Sequence, residues 1–320
     1  MNNRTIAILG VLLVLQLAAA VALQWEGRDL NAGQDEAALL DFAANDVDHI
    51  RISDHEGASV ELRRQDGAWR LTALAGFPAD QATVERLLGK LAAMKQGWPV
   101  ATTPAAARRF KVAEDDYERH IVLARGDQTL AEIYVGTSPG LRKVHVRRPD
   151  QQAIYAVAFN TFDAPVKTTG WIDKRIAQLD RQKLQRIELP ALTLLRENGG
   201  WRLADLAEGE EMVAEEVDNL VGQVSTVTIS DVLQKAPASP GEPTLVYTLH
   251  TRSGDKREYR FYKSPDKGQG YILKTSMRKE YFKVPAFYVD SIKSASRDRL
   301  VKAKDGKGAA TGGETQSIMP

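Results

Sequence analysis

Five histidines, His49, His55, His120, His145 and His250, are the side chains best suited to acid–base or metal chemistry near neutral pH. None stands in an H-x-x-x-H or HExxH spacing. His49 and His55 flank a strand-loop beside Asp46, Asp48 and Asp54, a mixture of nitrogen and oxygen donors that could suggest a metal site. A hard-cation loop needs dense, regularly placed oxygens around a Gly turn, and this stretch is not of the EF-hand kind. These residues read as surface polar groups. Asp115-Asp116 and Glu210-Glu211 are carboxylate pairs. Glycoside hydrolysis needs two carboxylates facing one sugar bond across a cleft, whereas adjacent ones are usually solvated or near a helix N-terminus.

Gly268-Gln269-Gly270 is a lone G-x-G before a strand, without the strand–loop–helix frame of a phosphate cradle. Gly136-Thr137-Ser138-Pro139-Gly140 reads as a turn, and Ser138 has no G-x-S-x-G frame. Positive charge gathers at Arg142-Lys143, Arg147-Arg148, Lys263, Lys274, Arg278 and Lys279. That pattern fits a face for an acidic partner, a lipid headgroup or an anionic glycan. Solubility and protection of sheet edges explain it more simply. The sequence therefore assigns no catalytic, cofactor-binding or metal-binding residue, and no cofactor.

Composition narrows the classes further. The 320 residues suffice for about two domains. With 43 basic and 42 acidic residues the net charge is +1, so no global field draws in nucleic acid. There is no cysteine, which excludes disulfides, thiolate metal sites, Cys nucleophiles and a lipoprotein signal.

Ile6–Leu23 is uncharged with one polar side chain, Gln16. Its 18 residues would span about 27 Å as a helix, close to a bilayer's hydrocarbon thickness. Arg4 precedes it and Trp25 follows, as interfacial residues do. Ala18-Ala19-Ala20 and Ala20-Val21-Ala22 also fit signal-peptide cleavage, but the run is long for a cleaved h-region. The expectation is a single-pass inner-membrane protein with cytoplasmic residues 1–4, a transmembrane helix over 5–24 and a linker over 25–44. The bulk of the chain is then periplasmic, and nucleic acid is not an expected partner.

The rest reads as one unit used twice. Val47–Ile52 and Val60–Leu71 answer Leu184–Leu189 and Leu192–Leu203, with Trp69 matched by Trp201. Apolar and polar residues alternate as in half-buried strands, and Asp66-Gly67 and Asn198-Gly199 are hairpin turns. Both tryptophans are expected to pack on a core. A helix follows each time, started in the first copy near Pro78 and Asp80. Val84, Leu87, Leu88 and Leu91 form one apolar stripe, and Val217, Leu220, Val221 and Val224 form the other. Further strands follow in His120–Gly136, Lys143–Arg148 and Ala153–Val157, then in Thr244–Lys263, Gly270–Thr275 and Tyr281–Val284. The predicted fold class is α+β: two tandem repeats, 45–176 and 177–298, each a twisted antiparallel sheet with a helix on one face. Residues 299–320 are expected to be a disordered tail.

Val47–Ile52, the G-x-W-x-L of Gly67–Leu71, Pro78–Met94, Val122–Gly136 and Tyr155–Val157 together resemble a bacterial family catalogued as domain of unknown function 4340. The resemblance runs from Val47 to Ile292. It implies a single-span envelope protein, of a kind often encoded beside gliding-motility-type ABC transporter components, and it brings no catalytic residues. The expected function is a non-enzymatic, membrane-anchored periplasmic accessory or scaffold protein with a membrane-complex protein partner. The alternatives are an envelope enzyme acting on glycan or peptide where the repeats meet, and a small-ligand-binding module.

Overall fold

The computed structural model describes residues 13, 16, 37–140, 142–237, 241–265, 268 and 270–304. The predicted span Ile6–Leu23 lies outside the described residues except at Leu13 and Gln16. Among the described residues no helix is long and apolar enough to cross a membrane. The fold is α+β, mostly antiparallel sheet with a few helices. The chain clusters into two compact units: the first holds the residues up to Ala73 and Gln81–Thr168, the second Leu74–Asp80 and the chain from Thr169.

In the first unit the strands are β1 (His49–Ser53), β2 (Ser59–Gln65) and β3 (Ala68–Leu71), then β5 to β8. Strand β4 (Phe77–Pro78) falls in the segment that joins the second unit. β5 (Arg119–Arg125), β6 (Gln128–Val135), β7 (Lys143–Arg147) and β8 (Ile154–Ala158) complete an antiparallel run in the order β3-β2-β1-β5-β6-β7-β8. Alternation sets the faces: Ile50 and Ile52 are buried while Arg51 between them is exposed. Asp66 and Gly67 turn β2 into β3 with φ of 50° and 77°, the left-handed pair that a tight hairpin requires.

Helix α1 (Gln81–Ala92) buries Val84, Leu87, Leu88 and Leu91, the stripe read from the sequence. Helix α2 (Pro104–Arg109) starts with Thr103, whose hydroxyl accepts from the Ala106 N–H, and with Pro104 in the first turn. Of the expected linker 25–44, the described part from residue 37 packs on the first unit. Leu39 and Leu40 are buried, and the Leu39 N–H donates to Met94 O at 2.9 Å, because two adjacent leucines gain more in the core than in water.

In the second unit the strands are β9 (Leu184–Leu189), β10 (Leu192–Glu197), β11 (Gly200–Leu203), β12 (Glu210–Met212), β13 (Asp231–Leu233), β14 (Leu245–Thr251), β15 (Lys256–Lys263), β16 (Tyr271–Thr275), β17 (Tyr281–Val284) and β18 (Val301–Ala303). The main sheet runs β11-β10-β9-β14-β15-β16-β17-β13. Asn198 and Gly199 make the same left-handed turn, with φ of 49° and 83°. Helix α3 (Ala214–Ser225) buries Val217, Leu220, Val221 and Val224. The buried Tyr247 hydroxyl donates to Val224 O at 3.1 Å, satisfying a carbonyl in the helix's last turn.

Helices α4 (Ala286–Lys293) and α5 (Arg297–Leu300) close this unit. The expected tail from residue 299 begins with ordered chain: Leu300 is buried and β18 pairs with β12. Leu300 and Val301 supply the apolar anchor that the later, Gly- and Lys-rich residues lack. Residues 305–320 lie outside the described residues.

Candidate functional site

Among the described residues, one face of the first sheet carries both a small packed cluster and an open groove. Ala106 and Ala107 of α2, with Val112 and Ala113 after it, pack on Tyr134 and Ile154 and make a second, small core there. The chain can cross so closely because position 136 is glycine: a Cβ on Gly136 would lie 2.0 Å from Phe110 O. Nearby, the His145 ring stacks on Phe110 at 4.0 Å between centroids, and its Nδ1 lies 2.8 Å from Thr137 O.

Beyond this cover, β2, β1 and β5 form the floor of an open groove of about 820 Å³. Tyr117 and the β1–β2 loop wall it, and His55 Nδ1 sits 3.1 Å from Tyr117 O. The floor is a ladder of charge. His49 Nε2 lies 2.8 Å from Glu61 Oε1, a close contact that lacks hydrogen-bond alignment. Arg63 reaches the same oxygen at 2.9 Å. His120 Nε2 meets Glu132 Oε1 at 2.7 Å, and its ring stacks on Tyr134 at 4.5 Å.

Electrostatics follow from this crowding. Burial works to raise the Glu61 carboxyl, but the Arg63 hydrogen bond and the charges of His49, Arg63 and Arg51 outweigh it and hold the group below the ordinary carboxylate range. Burial raises the Tyr134 hydroxyl, as do the Glu132 and Glu114 charges.

The second unit carries a related ladder on its own sheet. Glu188 lies 2.8 Å from Arg186 Nε and 3.1 Å from His250 Nε2. The His250 contact leads in lowering the Glu188 carboxyl, against a smaller effect of burial. A separate cleft of about 700 Å³ lies between the β10–β11 hairpin and α3. Trp201 lines it, half-buried, with the Arg196 guanidinium 5.6 Å above the ring. The expectation of two packed tryptophans thus holds for Trp69, 3 % exposed, and is corrected for Trp201. Gln81 ties Trp69's strand to α1 in the first unit, whereas α3 opens on Ala214, whose methyl leaves room for the cleft.

The residues singled out in the sequence scatter into turns and ion pairs. Asp48 accepts from the Gly126 N–H at 2.9 Å, Asp54 from the Ala58 N–H at 2.9 Å, and Asp46 pairs with Arg125. Asp115 pairs with Arg108, Glu210 with Arg297 and Glu211 with Lys302. The Ser138 hydroxyl donates to Lys143 O inside its turn. Gly270 lets β16 pass Val284 O, 2.4 Å from where a Cβ would stand; Gln269 lies outside the described residues. Of the basic set, Arg147 and Arg148 donate to backbone carbonyls, Arg278 pairs with Glu280, and Lys143, Lys263 and Lys279 are exposed. No group of three or more metal-ligating side chains gathers among the described residues.

Two features had no sequence signal strong enough to single them out. The His49–Glu61 contact is diagonal across the β1–β2 hairpin, where Arg51 is Glu61's direct neighbour, so it requires the register. Trp171 is fully buried and its carbonyl accepts from the Asp80 N–H at 2.7 Å, yet it lies in a stretch with no periodicity.

Nothing among curated proteins or solved structures matches the chain. The family described as Domain of unknown function (DUF4340) matches residues 69–246, more than half of the 320 residues. That span takes in the G-x-W-x-L hairpin end at Trp69, α1, the β5–β6 pair, Gly136 and the turn at Asn198-Gly199. The chain belongs to the DUF4340 family.

Proposed function

We propose that this chain is a non-enzymatic accessory protein of a membrane complex, anchored in the inner membrane by Ile6–Leu23 with its bulk in the periplasm. The groove of the first unit is the surface that holds a protein partner of that complex. The observation that carries this reading is the open groove over β2, β1 and β5, on whose floor Glu61 meets His49 and Arg63. A floor that presents Arg51 and Arg63 beside Glu61 suits recognition, where complementary charges set register and partner choice.

A tandem duplication is part of the proposal. Support comes from the strand orders β3-β2-β1-β5-β6-β7 and β11-β10-β9-β14-β15-β16, from the two left-handed turns, and from helices α1 and α3 at the same place in each series. An association with an ABC-transporter-like complex is the partner class this reading adopts.

Purification of the full chain in mild detergent tests it. The wild type should bring an integral membrane protein with it, and Arg51→Glu/Arg63→Glu should lose that protein with an unchanged unfolding midpoint. Elution of the wild type alone, or equal retention by the variant, contradicts the reading. The Trp201 cleft favours a second reading, a small-ligand-binding module. A thermal shift with an envelope metabolite that Trp201→Ala abolishes would support it.

A further inference from the structure

We infer that the loop Gly97–Thr103 of the first unit is a membrane-contacting tip, seated in the headgroup layer of an anionic lipid surface. The inference rests on the anchor reading above. Trp98 is 78 % exposed and Val100 48 %, with Pro99 between them also exposed. Among the described residues both side chains stay exposed, yet the loop's stem is firmly held. On one side the Gln96 N–H donates to Ala37 O at 2.8 Å and the Gln96 side-chain amide donates to the Tyr155 hydroxyl at 2.7 Å. On the other, the Val100 N–H donates to Ile154 O at 2.7 Å and the Ile154 N–H returns to Ala101 O at 2.8 Å. The apolar tip is therefore presented on a fixed base.

Position and charge choose the occupant. Ala37, bonded to the stem, leads back to the apolar run through residues 24–36, whose 13 residues reach at most about 45 Å when extended. The tip so stands within reach of the bilayer that the run would cross. Between Glu85 and Glu114 there is no acidic residue, while Arg86, Lys90, Lys95, Arg108, Arg109 and Lys111 supply six cations. Lys90 and Arg108 are paired with Asp163 and Asp115; Lys95 and Arg109 are exposed. An exposed Trp-Pro-Val flanked by cations matches an interface that offers apolar depth beneath anionic headgroups.

The absence of cysteine allows one-site labelling of the whole protein. Trp98→Cys and, as the control in the groove, Arg51→Cys would each carry an environment-sensitive fluorophore. The full chain is reconstituted in vesicles of phosphatidylcholine and phosphatidylglycerol, with circular dichroism and thermal unfolding confirming that each variant folds. Lipids bearing a spin label near the headgroup should quench the label at 98 about threefold more than the label at 51, and the excess should fall when phosphatidylglycerol is omitted. Equal quenching at both positions, in protein that resists alkaline carbonate extraction, overturns the tip and leaves the anchor standing. A label at 98 shielded from both lipid-borne and aqueous quenchers marks a protein contact and also overturns it. Release of the protein by carbonate removes the anchor reading, and the tip falls with it.

Discussion

The Gln81 side chain grips Trp69 by both backbone groups: the Trp69 N–H donates to Oε1 at 2.8 Å, and Nε2 donates to the Trp69 carbonyl at 3.1 Å. A side-chain amide here imitates a strand, and it locks the first turn of α1 to β3 over a buried indole. Removing it orphans a partly buried donor and acceptor. Gln81→Ala should cost about 1–3 kcal/mol. The urea midpoint should fall with the slope unchanged. A midpoint equal to the wild type's would show that the grip adds nothing.

Two glycines should respond in opposite directions. Gly136→Ala would drive a methyl to 2.0 Å from Phe110 O and 2.4 Å from Lys111 O, both backbone atoms that cannot yield without moving the cover of the sheet. A loss of about 2–4 kcal/mol is expected. Gly89 lies on the exposed side of α1 with nothing within 4 Å of its would-be Cβ. Gly89→Ala should stabilise by about 0.5–1 kcal/mol, by helix propensity alone. Denaturation of the two variants side by side checks both signs.

Acid should expose the Glu210–Arg297 pair. Two guanidinium bonds of 2.7 and 2.5 Å, and the Ala207 N–H, hold the Glu210 carboxyl at about 2 against an ordinary 4.5. The unfolded chain therefore binds this proton at a higher pH than the folded one. The pair's contribution is complete above pH 4.5 and disappears as the pH falls towards 2. Glu210→Gln removes that dependence. The gap between the wild-type and variant midpoints should narrow over this window, and curves that stay parallel across it would contradict the assignment.

Much of the fold was legible because its signals are local. Val84, Leu87, Leu88 and Leu91 recur at the helical period and are buried together, and Asp66-Gly67 and Asn198-Gly199 turn as their types demand. What could not be read depends on long-range placement. The groove exists because the chain from Thr103 to Tyr117 lies over β6 and β8 and stops short of β1 and β2, which no periodicity encodes. Gly136 reads locally as a loop residue, while its reason, the carbonyl of Phe110, is 26 positions away in sequence (136 − 110). Trp69 and Trp201 share a motif, but Gln81 grips the first through its backbone while the second lines a cleft with Arg196 and Ala214.

The groove's role is tested most directly by a photo-crosslinking residue in place of Arg51, in the full chain in intact membranes. The account predicts a discrete adduct with an integral membrane protein, absent when Glu61→Arg and Arg63→Glu are added. Crosslinks only to lipid or water, or an adduct that survives those changes, would contradict it.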